Sequence, residues 1–196
     1  MVYQTENEKR TLLILFKDFT SYHNANTISK QIGISRIGSM KLLKKLKIQD
    51  LVIAKVIGKS TVYKPNMQND YLIDVITFIL AEESNNFKRW KEEFRELFAE
   101  ERIILLYGST IRDYTKARDI DIMILRNPGD SGNIHKIISK KQQILPKKIH
   151  VIDLTPQEFM NNLQKRQVAV VDIVKNAVVL YGQNKYVELL KNVTSL

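Results

Sequence analysis

The chain has 196 residues, a net charge of +10, 44% hydrophobic and 27% charged residues, and no cysteine. That length suits two small domains better than one large core, and the lack of cysteine excludes disulfides and thiolate metal sites. The polar stretch from Met1 to Arg10 lacks the apolar core of a secretory signal, and no apolar run approaches a membrane span. The expectation is a cytoplasmic protein with no membrane partner.

The charge is unevenly spread. Residues 1–66 hold 12 Lys and Arg against 4 Asp and Glu, whereas the remainder holds 19 against 17. Localised positive charge points to a polyanion, because each phosphate contact releases condensed counterions. Lys9 to Phe19 reads as an amphipathic helix with Leu12, Leu13, Leu15 and Phe16 on one side. Asn26 opens a short second helix with Ile28 and Ile32, stopped by Gly33. Ser35 is the expected N-cap of a third helix, Arg36 to Lys47, whose Leu43 and Leu46 share core spacing with Leu51. Val52 to Tyr63 reads as a β-hairpin turning at Gly58.

Helix, helix-turn-helix and hairpin in this order resemble a winged helix-turn-helix domain. The resemblance implies double-stranded DNA as partner, with the third helix in the major groove and the hairpin as wing. Arg36 sits in the first turn, where a bidentate contact to guanine is expected. Gly38 is small enough for close backbone approach. Lys41, Lys45 and the wing residue Lys59 would meet phosphates. No acidic residue interrupts Gly33 to Gln49, whereas an ordinary solvated helix face mixes signs.

Tyr71 to Leu80 is apolar nearly all round, so it reads as a buried helix, and Leu72 to Leu80 is the candidate homodimer interface. Phe87, Trp90, Phe94, Leu97 and Phe98 then recur at helical spacing, an aromatic stripe expected to pack on the sheet that follows.

Ile103 to Tyr107 is a short apolar strand ending in Gly108-Ser109, and after a polar loop Asp119-Ile120-Asp121 opens a second strand to Leu125. Alternation along a strand puts Asp119 and Asp121 on one side, ~7 Å apart. Two such carboxylates are costly unless a cation lies between them. Mg²⁺ suits them, because it takes one or two carboxylates and fills its other positions with water and phosphate oxygens. Gly108 lets backbone approach a triphosphate, and Ser109 offers its N–H and hydroxyl.

Strand, Gly-Ser, loop and Asp-x-Asp resemble the signature of polymerase-beta-type nucleotidyltransferases, closest to the minimal prokaryotic members. The resemblance covers about Arg102 to Leu196. It implies that Gly108 and Ser109 grip phosphates, that Arg112 assists them, and that Asp119 and Asp121 are catalytic ligands for Mg²⁺ (or Mn²⁺) with a nucleoside triphosphate as ligand or substrate. Minimal members often work beside a small toxin protein, which makes such a partner an expectation too.

The family usually adds a third carboxylate from a later strand. Here Lys148 to Leu154 places His150 at the matching position, and Asp153 falls on the opposite face. Either His150 or Asp153 faces the metals. Alternatively His150 fills a partly polar strand position and Asp153 caps the helix that starts near Pro156. Helices are expected at Asn133 to Gln143 and Gln167 to Ala177, the latter leading into Leu180-Tyr181-Gly182.

The expected fold is α+β: a winged helix-turn-helix at 1–68, linking helices at 69–101, and a nucleotidyltransferase-like α/β domain with a small mixed sheet at 102–196. The expected function is a DNA-binding transcriptional regulator whose second domain binds a metal-nucleotide; the alternative is a Mg²⁺-dependent nucleotidyltransferase directed by its wing.

Overall fold

The structure is a computed structural model that describes residues 4–194. Its chain forms two compact units, one running to Ile79 and taking in the segment from Leu190, the other spanning Leu80–Leu189.

In the first unit, α1 (Glu6–Lys17) begins at Thr5, whose hydroxyl accepts from the Glu8 N–H while the Glu8 carboxylate accepts from the Thr5 N–H. This reciprocal cap satisfies two of the backbone donors that every helix start leaves over. Helix α2 (Ala25–Ile32) is capped by Asn24 and ends at Gly33 in the left-handed region. Helix α3 (Arg36–Ile48) is capped by Ser35, which accepts from the Gly38 N–H at 3.0 Å. Leu12, Phe16, Ile28, Leu43, Leu46 and Leu51 are fully buried, as the helical spacing requires.

The antiparallel strands β1 (Val52–Ile57) and β2 (Ser60–Pro65) form the hairpin, with Ile57 opposite Ser60 across the turn. A bridge between His23 and Tyr63 ties it back to the helices. The order α1-α2-α3-β1-β2 is compatible with a winged helix.

Helix α4 (Asp70–Asn85) is longer than the apolar run that announces it. It is not buried on every side: Leu72, Ile76 and Leu80 are buried, whereas Tyr71 and Phe78 are exposed. Those two lie seven residues apart, two turns along one stripe of the helix.

The second unit continues with α5 (Lys88–Glu93), a 3₁₀ turn (Arg95–Leu97), β3 (Ile103–Tyr107), α6 (Ser109–Arg112) and β4 (Asp119–Leu125). It is completed by α7 (Ser131–Ile144), β5 (Lys148–Leu154), α8 (Pro156–Gln164), α9 (Val168–Asn176), β6 (Val178–Tyr181) and the part of α10 (Gln183–Thr194) that precedes Leu190. The sheet runs β5-β4-β3-β6. Strand β3 is antiparallel to both β4 and β6, and β4 is parallel to β5, so the sheet is mixed. The parallel pair needs a crossover, and α7 supplies it.

The aromatic stripe packs as expected. Trp90, Phe94 and Leu97 lie buried in one cluster with Ile104, Leu106, Ile120 and Ile122 of the central strands, and Phe87 and Phe98 flank it. Polar anchors hold the ends of the sheet. The Arg102 guanidinium donates to both Asp130 oxygens and to the Leu97 carbonyl.

Gly182 ends β6 at φ 78°, and a Cβ there would lie 2.6 Å from the Arg102 carbonyl oxygen. Gly182→Ala is therefore expected to destabilise the protein by about 1–3 kcal/mol. Urea unfolding of the two proteins measures the difference.

Candidate functional site

Strands β3 and β4 meet at Tyr107 and Asp121, which are paired in the antiparallel register. Beyond that pair the chain turns at Gly108, whose φ is 78°. A Cβ on Gly108 would fall against Asp121 Oδ2 and within 3.1 Å of its Cγ. The residue must be glycine for two reasons, backbone conformation and space. Ser109 follows directly as the first residue of the single-turn α6, so the polar loop read from the sequence begins helically. The Thr110 hydroxyl donates to the Asp119 carbonyl at 2.8 Å and ties this turn to the start of β4.

Asp119 and Asp121 alternate with the buried Ile120 and Ile122, so the core fixes the side from which both carboxylates leave the strand. The parallel pairing of β4 with β5 sets His150 level with Asp121. His150 Nδ1 lies 3.3 Å from Asp119 Oδ2 and 3.5 Å from Asp121 Oδ1. One donor atom from each of the three residues falls within 4.8 Å of the others, a group able to hold a metal ion. The carboxylate oxygens fit a hard divalent ion such as Mg²⁺ or Mn²⁺, and the imidazole adds a nitrogen.

Of the alternatives left open by the third strand, His150 is the one that faces the aspartates. Asp153 accepts from Arg126 Nε at 2.8 Å and from the Ser131 hydroxyl at 2.6 Å. The Ser131 bond above all, and then Arg126, hold its carboxyl below the usual aspartate value against the opposing effect of burial. Asp153 does not cap α8 either. Thr155 does so, in a capping box with Glu158.

Electrostatics marks the site as strained. Burial first, and the neighbouring Asp119 second, raise the Asp121 pKa, while His150 partly offsets them. Tyr107, half-buried across from Asp121, is pushed up to about 12 by burial and by both aspartates. Its place facing the carboxylates escaped the sequence reading, although a strand-end residue just before Gly-Ser must adjoin the second strand. Arg112 is exposed on α6, and Ser109 is half-exposed beside Gly108.

The loop from Asp113 to Arg118 is held from outside. Lys147, just before β5, donates its ammonium hydrogens to the carbonyls of Tyr114, Thr115 and Ala117. The same ammonium lies 4.2 Å from the Tyr114 ring centroid. Nothing in the sequence near Lys147 announces this, since its partners are backbone oxygens about thirty residues earlier.

In the first unit Arg36, Lys41, Lys44 and the hairpin residue Lys59 are exposed. The Lys45 side chain is 49% exposed, and its ammonium sits 2.6 Å from the buried Glu8 carboxylate of α1. An acidic partner for α3 thus comes from another helix. Gly38 is half-exposed, and a Cβ there would meet Ser35 Oγ at 3.2 Å, so its small size also serves the helix cap.

Residues 87–180 match the family model of the nucleotidyltransferase domain. The match starts fifteen residues before Arg102 and takes in Phe87, Trp90 and Phe94, which pack in the core of the same sheet. One solved structure, a cysteine-to-serine mutant of Lactococcus lactis ZitR, is similar at 16% identity and a TM-score of 0.39. The similarity covers 51% of this chain and 66% of that one, too distant to assign a shared fold. No curated protein is matched. Among the described residues, no helix is long and apolar enough to cross a membrane.

The raised Asp121 pKa has a consequence for stability. A carboxyl raised in the folded state contributes stability below its unfolded pKa and loses it as pH rises through the folded value. At neutral pH the charged Asp121 therefore weighs against the fold. Asp121→Asn is expected to raise the melting temperature of the metal-stripped protein at pH 7. The gain should fade as pH falls through the raised folded-state pKa of Asp121 and be absent below the ordinary aspartate value. Thermal melts in chelator from about pH 3.5 to 8 check this.

Proposed function

We propose that this protein is a DNA-binding transcriptional regulator whose nucleotidyltransferase-like domain binds a metal-nucleotide. The observation that carries the reading is the convergence of Gly108-Ser109 with the carboxylates of Asp119 and Asp121 at one end of the sheet. Asp119 and Asp121 hold a divalent ion, Gly108 and Ser109 present backbone and hydroxyl to the phosphates, and exposed Arg112 adds positive charge beside them. A divalent ion there neutralises phosphate charge and orients the phosphate oxygens. The charge asymmetry of the first unit supports DNA as its partner, with Arg36 at the base edges and Lys41 and Lys59 on phosphates. Gly38 lies at the approach to the groove. Lys45 contributes charge while remaining tied to Glu8.

A second reading is favoured by one observation. Asp121 keeps a carboxylate where burial and Asp119 both oppose its charge, the kind of cost that catalytic sites carry. In that reading the domain transfers a nucleotidyl group from a nucleoside triphosphate to an acceptor hydroxyl, releasing pyrophosphate, and Asp119 and Asp121 would hold the divalent ion that supplies Lewis acidity.

Calorimetric titration of each nucleoside triphosphate, with Mg²⁺ or Mn²⁺, tests the common premise. Wild type is expected to bind at least one, and Asp119→Ala/Asp121→Ala to bind none; absence of binding to either protein overturns both readings. For the DNA partner, affinity for duplex should fall about 10- to 100-fold over a fourfold rise in salt. Arg36→Ala should cost about 1–3 kcal/mol of binding to a specific site. Lys45→Ala behaves differently, because it strips the ammonium partner from a buried carboxylate and leaves it only the Thr5 cap bonds. It should cost about 1–2 kcal/mol of folding stability, read by urea unfolding alongside the DNA titration.

A further inference from the structure

The three donors of the site differ in chemical character. Carboxylate oxygens alone suit hard ions such as Mg²⁺, whereas an imidazole nitrogen favours the borderline first-row ions, Zn²⁺ among them. Mg²⁺ parts reluctantly with water and gains little from an uncharged nitrogen. His150 is directed at the pair, with Nδ1 3.3 Å from one carboxylate oxygen and 3.5 Å from the other. Donor atoms around a small ion with bonds of ~2.1 Å lie ~3.0–3.4 Å apart. The spacings from the imidazole are therefore already close to those a shared ion requires.

The backbone fixes this arrangement. His150 is level with Asp121 in the parallel register, and the next residue but two on its strand, Asp153, is held elsewhere by Arg126 and Ser131. No rearrangement of β5 is needed to present the nitrogen. The imidazole is 45% exposed, which leaves an ion and a phosphate ligand a way in from solvent.

We propose that His150 is a third metal ligand, and that it shifts the site from Mg²⁺ toward a borderline first-row ion, Zn²⁺ foremost. The inference rests on the reading that Asp119 and Asp121 bind a divalent ion, and it specifies which ion they bind. The occupant expected in the nucleotide-bound protein is a Zn²⁺-like ion shared by two oxygens and one nitrogen.

The test is calorimetry of Zn²⁺ alone and Mg²⁺ alone on the full chain. The proteins are wild type, His150→Ala, His150→Asp and Asp119→Ala/Asp121→Ala, with Co²⁺ as an optical probe of nitrogen ligation. The expected result is a Zn²⁺-to-Mg²⁺ affinity ratio that falls about 10- to 100-fold in His150→Ala. In His150→Asp the ratio should fall further because Mg²⁺ binding strengthens, a gain that a merely disrupted fold would not give. The visible Co²⁺ spectrum should change in both variants. An unchanged ratio and spectrum in His150→Ala, with the double aspartate substitution still abolishing binding, overturns the role of His150 and leaves the metal-nucleotide reading standing. Zn²⁺ binding that survives the double substitution places the ion elsewhere and also overturns the inference. Failure of wild type to bind any ion, with or without nucleotide, overturns the inference and the metal-nucleotide reading together.

Discussion

The approach of Gly108 to Asp121 is the constraint on which the second unit's site depends. Backbone at the end of β3 lies so close to the Asp121 carboxylate that no side chain fits between them. Two hydrophobic strands produce that closeness. Ile104 and Leu106 of β3 and Ile120, Ile122 and Ile124 of β4 are buried in one cluster with the α5 aromatics. The apolar residues determine which way the alternate positions point, and the alternate positions of β4 near its start are the two aspartates. The same burial that drives the sheet together leaves the carboxylates incompletely solvated.

Other acids in this unit receive a different treatment. Asp130 takes the Arg102 guanidinium in two bonds, and Asp153 takes Arg126 and Ser131. Both carboxyls are held below their usual pKa, with the Arg102 bond leading for Asp130 and the Ser131 bond for Asp153. Asp119 and Asp121 instead share the His150 imidazole. The contrast separates acids braced by a guanidinium from a pair that shares an imidazole.

Much of this was legible in the residues, because the strongest signals were local. Ser35 as a cap, Gly58 at a hairpin turn, the aromatic spacing from Phe87 to Phe98 and the two apolar runs around Gly108-Ser109 and Asp119-Asp121 each carry their own physical cause. The misses arise where structure depends on distant partners. The Glu8 partner of Lys45 lies 37 residues away on another helix, so a helix face that seems uniformly basic in sequence is partly neutralised. The choice between His150 and Asp153 required the register of β5 against β4, which period-2 alternation alone leaves ambiguous. Asp153 stands near Pro156, as a cap would, yet Thr155 is closer and has Glu158 three residues on. The exposed edge of α4 at Tyr71 and Phe78 was hidden by treating an apolar run as buried on every side.

Lys147 sets the entropy of the loop beside the two aspartates. By gathering the carbonyls of Tyr114, Thr115 and Ala117, it orders the segment from Asp113 to Arg118 while the domain folds. Had those six residues been left loose, fixing them on ligand arrival would cost ~1–2 kcal/mol each, ~6–12 kcal/mol in total. Micromolar affinity supplies only ~8 kcal/mol. Together with the Asp113 bonds to Thr115, one ammonium group thus places the ordering of this loop in the folding step, where the buried sheet bears its cost.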